Sequence, residues 1–203
     1  MSEQARSPKS RGYRMTKRAE QVDQTRQRIV EAAVEVHGTV GPAAGGISAI
    51  AERAGVTRLT VYRHFADDEA LFAACSEHWL ASRVPPNPGI WTAIEDPAQR
   101  LQTALADLYR FYADGEPMLT NIYRDKASVP AAFRVGLETR DEALADLIAQ
   151  PFTGPAADRR LVRALIGHAT SFWTWRSLCV GQGLTQAQAV RAMTALVLSH
   201  AEH

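Results

Sequence analysis

The residues best suited to chemistry lie in one short stretch, GVTRLTVYRHF, which runs from Gly55 to Phe65. On a helix turning about 100° per residue, Val61 and Phe65 form an apolar seam that can pack inward. Leu59 and Arg63 fall on the opposite side, and hydroxyl groups, a second arginine and an imidazole flank them. A helix buried in a protein core does not need so many polar side chains.

A helix laid into the major groove of DNA does need such side chains. Arginine donates to guanine edges, an apolar side chain contacts the thymine methyl group, and flanking hydroxyl groups bind phosphates. The wheel therefore predicts that the base-reading residues are Arg58, Leu59 and Arg63. The predicted phosphate contacts are Thr57, Thr60, Tyr62 and His64. The alternative interpretation is an ordinary surface helix with a tyrosine lying over it.

The neighbouring elements favour the DNA interpretation. Residues 47–54 read as a short helix, Gly55 ends it, and Thr57 is placed to cap the next one. Helix, glycine-containing turn and second helix together make a helix-turn-helix pattern.

Residues 25–72 closely resemble the DNA-binding domain of the TetR (tetracycline repressor) family. The stretch reads TRQRIVEAAVEVHGTVGPAAGGISAIAERAGVTRLTVYRHFADDEALF. The resemblance implies an all-α protein in which an N-terminal three-helix domain binds DNA. It also implies a larger helical domain that binds a small molecule and forms a homodimer through its last two helices.

Three positions depart from the family pattern. Asp68 replaces a basic residue, so a carboxylate stands where a phosphate partner is usual. Gly46 replaces the usual Ser or Thr at the start of the second helix, and Ser48 is the expected substitute for the missing hydroxyl. His37 replaces an apolar aromatic residue, and we expect a hydrogen-bonded core histidine there rather than a switch or a ligand.

The whole chain reads as all α, with about nine helices and no convincing strand pair. We expect a disordered basic arm at 1–20, a helix-turn-helix domain at 21–66, and a ligand-binding and dimerisation domain at 67–203. Thr25 is the expected N-cap of the first helix, and Thr185 with Gln188 has the spacing of a capping box. The helices predicted after the proline-rich stretch 84–91 are 97–114, 117–127, 131–149, 157–180 and 185–201.

Composition supports a globular protein with uneven charge. Of the 203 residues, 46% are apolar, and the net charge is +1. Residues 1–65 hold 11 Lys and Arg against 6 Asp and Glu, whereas residues 66–203 hold 12 against 16. The basic first third suits a polyanion. No apolar run is long enough to span a bilayer, and no secretion signal is evident, so we expect a cytoplasmic protein without a membrane partner.

The predicted ligand pocket rests on aromatic and methionine positions, although plain core packing is the alternative for most of them. The candidates are Trp91, Tyr109, Tyr112, Met118, Tyr123, His168 and Phe172. They suit a moderately apolar effector of unknown identity. Helix 157–180 is apolar on two sides, which predicts burial between two layers.

Catalytic, cofactor and metal sites are not expected. Cys75 and His78 are three residues apart on a predicted helix, but two ligands do not make a zinc site. The sequence has none of the nucleophile, dinucleotide or phosphate-loop motifs.

We therefore expect a non-enzymatic, ligand-responsive regulator, most simply a repressor that binds double-stranded operator DNA. The competing hypothesis is a structural DNA-binding protein that responds to no ligand.

Overall fold

The computed structural model describes residues 8–201, and these residues form helices and no strand. Two compact units divide the chain, one ending at Trp79 and the other beginning at Leu80. They are called the N-terminal unit and the C-terminal unit below. In the described range, no helix is both long and apolar enough to cross a membrane.

The N-terminal unit is built from α1 to α4. Their bounds are α1 Pro8–Thr39, α2 Ile47–Ala54, α3 Arg58–His64 and α4 Asp68–Ala81, and the last of these runs past the division between the units. The core brings together the second half of α1 with α2, α3 and α4. Its fully buried side chains include Ile29, Ala33 and Val61.

The C-terminal unit contains the remaining helices of the described chain. They are α5 Pro88–Thr92, α6 Pro97–Arg124, α7 Ala131–Ala149, α8 Ala156–Thr170, α9 Phe172–Arg176 and α10 Gln186–Leu198. A short 3₁₀ turn, Lys126–Ser128, precedes α7, and a π-helical turn, Ser177–Gly181, follows α9. The capping box at the start of α10 is confirmed, with Thr185 and Gln188 each bonded to the backbone of the other.

The first helix begins earlier than expected. Residues 8–20 of the expected disordered arm lie within α1, and residues 1–7 fall outside the described residues. Residues 17–21, KRAEQ, are all strong helix formers. Thr25 is therefore not an N-cap but lies in mid-helix, where its hydroxyl donates to the Gln21 carbonyl at 2.8 Å.

The joint predicted near Pro117 is absent, since α6 runs through it. Proline removes the hydrogen bond to the carbonyl four residues earlier, at Ala113. Both residues are exposed, so water can bind that carbonyl, while Gly115, Met118 and Leu119 pack inward on the other side. The burial of one helical face outweighs the local helix-breaking tendency.

The predicted helix 157–180 is interrupted at Ser171, where α8 ends and α9 begins. Ser171 has an extended backbone, and its side chain accepts a hydrogen bond from the Trp173 N–H. The hydroxyls of Tyr109 and Tyr112 donate to the carbonyls of Ala169 and Thr170, each at 2.8 Å. Two buried tyrosines thus bind carbonyls that the interruption leaves without helical partners.

Candidate nucleic-acid interface

The turn between α2 and α3 depends on a glycine and a threonine. Gly55 has φ 65° and ψ 37°, the left-handed conformation that glycine adopts without strain, and it ends α2. Thr57 has an extended backbone, and its hydroxyl accepts from the Thr60 N–H at 3.2 Å, which caps α3. Both features match the sequence-based expectation, and together they set the direction in which α3 leaves the turn.

One side of α3 anchors it to the core. Val61 is fully buried and Phe65, at the C-cap, is 3% exposed. Both belong to the core cluster that includes Ile50 and Ala51 of α2. The Arg26 guanidinium of α1 lies over the Phe65 ring, 4.8 Å from its centroid, so α1 passes next to the C-terminal end of α3. The predicted inward seam of this helix is confirmed.

The other side of α3 faces solvent. Leu59 is 72% exposed and Tyr62 43% exposed, and Arg58 and Arg63 are exposed beside them. His64 is half-buried. An exposed leucine between two arginines presents one apolar contact and several hydrogen-bond donors on the same face.

The hydroxyl groups expected to contact phosphates differ in how many hydrogen bonds they already make within the protein. The Thr57 and Thr60 hydroxyls lie 2.9 Å apart and bond to each other, so cap formation already uses part of their capacity. Ser48 is exposed in the first turn of α2, close to the exposed N-cap Gly46. Gly46 caps α2 without a side-chain hydrogen bond.

Two departures from the family pattern have structural explanations. Asp68 and Glu69 occupy the first turn of α4, where carboxylates interact favourably with the helix dipole. The neighbouring Asp67 caps the helix, since its Oδ1 accepts from the Ala70 N–H at 2.7 Å.

His37 is a core histidine, 6% exposed, with its Nδ1 3.6 Å from the Cys75 Sγ and its ring against Phe72. Desolvation by burial lowers its pKa below the ordinary value of 6.5, although a hydrogen bond with the Gly45 backbone partly opposes the shift. Burial also raises the pKa of Cys75 to about 12.

Five of the seven candidate ligand residues lie in the core of the C-terminal unit: Trp91, Tyr109, Tyr112, Met118 and Phe172. Three have internal partners for their polar atoms. Trp91 donates its indole N–H to the Asp107 carboxylate at 3.0 Å, and the two tyrosines bind α8 as described above. Desolvation by burial raises the pKa of both tyrosines, so they remain protonated donors.

Tyr123 is half-buried, and His168 is exposed. The Tyr123 ring stacks on Phe172 with centroids 5.0 Å apart. The Tyr123 hydroxyl accepts from the Arg140 guanidinium at 2.7 Å and donates to the Asp141 carboxylate at 3.3 Å. Burial raises the pKa of Tyr123 to about 12. His168 Nδ1 lies 3.5 Å from the Thr174 hydroxyl.

Sequence reasoning missed three residues near this cluster. Arg140 and Asp141 are 17 and 18 positions from Tyr123 and reach it from a different helix. Trp175 is 2% exposed, lies against Phe172 and Tyr112, and its buried indole N–H has no hydrogen-bond partner. No local pattern signals contacts between separate helices.

The fold and the exposed face of α3 define the class of this protein: an all-α chain with an N-terminal helix-turn-helix module. Residues 29–75 match the family model described as bacterial regulatory proteins, tetR family. Over these residues the chain is similar to the DNA-binding domain of TetR-family regulators.

Curated relatives are similar over part of their length. The HTH-type transcriptional repressor NicS of Pseudomonas putida is 33% identical over 95 residues, covering 47% of this chain and 45% of that protein. The HTH-type transcriptional activator FasR of Mycolicibacterium smegmatis is 28% identical over 132 residues, covering 63% and 60%. The chain thus spans about half the length of the curated relatives it matches.

Solved structures share the fold at low identity. A tetR-family transcriptional regulator from Streptomyces coelicolor superposes with a TM-score of 0.58 at 18% identity, covering 88% of this chain and 80% of that one. A TetR-like transcriptional regulator from Rhodococcus sp. RHA1 gives 0.56 at 22% identity, covering 86% and 93%.

Proposed function

We propose that the protein is a sequence-specific DNA-binding transcriptional regulator that acts as a homodimeric repressor. The observation that carries the proposal is the division of α3 into a buried side, Val61 and Phe65, and an exposed side that presents Leu59 between two arginines. The exposed side supplies the donors and the apolar contact needed to read base edges. The family match over residues 29–75 supports the same role.

In this proposal the residues of the interface divide into two groups. Arg58, Leu59 and Arg63 read bases. Ser48, Thr57, Thr60, Tyr62 and His64 contact the phosphate backbone, which positions the helix without specifying sequence.

The dimer is proposed to form through α8 and α10. Leu161 on α8, 46% exposed, has no core role, and Ala192 and Ser199 present small exposed side chains on and just after α10. A dimer places two recognition helices about one turn of DNA apart, roughly 34–36 Å. Analytical ultracentrifugation that gave only monomer at micromolar concentration would contradict this part of the proposal.

A small effector is proposed to bind beside Phe172, between Tyr123 and Trp175. The half-buried Tyr123 gives access from the surface, and the Trp175 N–H supplies a buried donor without a partner. An unsatisfied buried donor costs about 1–3 kcal/mol, which a ligand acceptor would recover. A moderately apolar ligand with one hydrogen-bond acceptor suits this arrangement, and a thermal-shift screen with Trp175→Phe as control tests it.

The close packing of the other aromatic candidates favours the second candidate function, a structural DNA-binding protein without an effector. The two functions differ in sequence preference. Strong discrimination between an operator and scrambled DNA supports the regulator, and its absence supports the structural protein.

Gel-shift titration on the DNA upstream of the protein's own coding sequence tests the reading residues. Arg63→Ala removes a base contact and is expected to relax discrimination at one position, by about 1–3 kcal/mol. Tyr62→Phe removes only a phosphate contact, so it weakens binding equally on all sequences. If both variants bind like the wild type, α3 is not the recognition helix.

A further inference from the structure

In the first half of α1, none of the side chains described from residue 17 onward belongs to the core. The N-terminal helical extension, defined as residues 8–28, precedes Ile29, the first buried side chain described in this helix. Every side chain described in it is exposed except Thr25, which is half-buried. At about 1.5 Å per residue the extension is roughly 30 Å long. A helix that buries no face is marginally stable in water unless a partner covers it.

Charge identifies the chemistry of that partner. The extension contains seven Lys and Arg against two Asp and Glu, a net charge of +5. Residues 29–75, which match the family model, contain three Arg against six Asp and Glu, a net charge of −3. One of those three, Arg53, pairs with Glu35. The module that presents the recognition helix is therefore acidic overall.

An acidic module faces electrostatic repulsion from DNA, which carries about one negative charge per 1.7 Å of duplex. Affinity for DNA depends on lysines and arginines that neutralise phosphates and release counterions. Arg58 and Arg63 on α3 are assigned to bases, so the phosphate-neutralising charge has to come from elsewhere in the chain.

The extension is well placed to supply it. The contact of Arg26 with Phe65 sets α1 beside the C-terminal end of α3, so the helix leaves the unit next to the reading element. Lys17, Arg18 and Arg28 fall within an arc of about 100° on α1. Of the acidic residues, Asp23 lies on the other side of the helix, and Glu20 lies at the edge of the arc next to Lys17. A one-sided basic stripe suits a row of phosphates.

We propose that the N-terminal helical extension is a second DNA-binding element, which lies along the phosphate backbone next to the groove occupied by α3 and supplies most of the electrostatic affinity. The inference depends on the proposed DNA binding, but it assigns affinity and sequence reading to different parts of the chain. Basic residues in the extension would also compensate for Asp68, which stands where the family pattern has a basic residue.

The test uses the full-length protein and a fluorescein-labelled 30-base-pair duplex of mixed sequence. Anisotropy titrations at several salt concentrations compare the wild type with Lys17→Gln/Arg18→Gln. The slope of log K against log salt becomes shallower by about 0.9 for every phosphate that the protein no longer neutralises, so the double variant is expected to lower the slope by about 2 per chain. The matched control is Arg124→Gln/Lys126→Gln, which removes the same charge from the C-terminal unit outside the proposed dimer helices α8 and α10.

The outcomes are distinguishable. The inference fails if the extension variant keeps the wild-type slope, or if the control loses as much as the extension variant does. In either case the preference for operator over scrambled duplex, measured in parallel, still reports on α3 and on the proposed function. If the wild type binds no duplex at all, the proposed function fails as well.

A different polyanion would also overturn the inference. Co-sedimentation with vesicles containing 30% phosphatidylserine checks this. The inference is wrong if Lys17 and Arg18 control binding to the vesicles and leave binding to the duplex unchanged. Far-UV circular dichroism of both variants is expected to match the wild type, which excludes misfolding as the cause of any loss.

Discussion

Two short helices, α3 with 7 residues and α9 with 5, differ in what defines them. Residues next to α3 determine where it starts: Gly55 ends the preceding helix, and Thr57 provides the cap. Ser171 provides the cap of α9. The carbonyls just before it also accept hydrogen bonds from Tyr109 and Tyr112, which lie 60 and 58 residues away in the sequence. Helix boundaries encoded locally can be read from sequence, and boundaries stabilised by distant donors cannot.

The largest expected effect comes from removing a distant donor. Tyr112→Phe leaves the buried Thr170 carbonyl without its hydrogen bond, so the free energy of unfolding should fall by about 1–3 kcal/mol. Tyr62→Phe makes the same chemical change on the exposed face of α3 and should alter stability by less than about 0.5 kcal/mol. Urea denaturation followed by circular dichroism measures both, and equal effects would contradict the role given to Tyr112.

An effect of intermediate size is expected when the N-caps of α3 and α9 are removed, and the two losses of stability should differ. Thr57→Ala should cost about 1 kcal/mol, because the cap bond to the Thr60 N–H is lost. Ser171→Ala should cost less, because the two tyrosine hydrogen bonds remain in place. The same denaturation experiment measures both variants. A larger loss for Ser171→Ala would mean that the local cap, rather than the distant tyrosines, defines the interruption.

The smallest effect concerns pH and the core of the N-terminal unit. Because burial lowers the pKa of His37, the folded state binds fewer protons than the unfolded state below pH 6.5, and stability falls as pH falls through that range. A single group can account for at most about 0.8 kcal/mol between pH 7.5 and 6.0. His37→Phe should lose this dependence, as shown by urea midpoints at the two pH values. An unchanged dependence would assign it to other groups.

The same distinction explains what sequence could predict. The seam of Val61 and Phe65 and the caps at Thr57 and Thr185 follow from spacing within one or two turns, and the structure has them. The sequence predicts one continuous helix over 157–180 that is apolar on two sides and buried between two layers. Because the chain bends at Ser171, Phe172 is buried and Trp173 is 45% exposed.

Other differences also arise from tertiary context. Nothing near Pro117 in sequence indicates that the carbonyl it leaves free faces solvent, so a break was the natural expectation. The aromatic candidates Trp91, Tyr109 and Tyr112 were recognisable as inward-facing, but their structural hydrogen bonds involve partners 16 to 60 residues away. The residues around Tyr123 were missed for the same reason.

The proline-rich stretch also shows which parts of the chain can vary. Side chains of α6 bind its backbone and that of the residues just after it. Arg110 donates to the Val84 carbonyl, and Asp107 accepts from the Asn87 N–H. Arg100 donates to the carbonyls of Thr92 and Ile94.

Contacts of this kind recognise the path of a chain rather than its side chains, and Val84 and Ile90 in this stretch are exposed. Part of the information that specifies this segment is therefore stored in α6, and part lies in the segment itself, where the Asn87 side chain caps α5. The exposed side chains of Val84 and Ile90 can vary without loss of these contacts, whereas a single change at Arg100 would release the carbonyls of both Thr92 and Ile94.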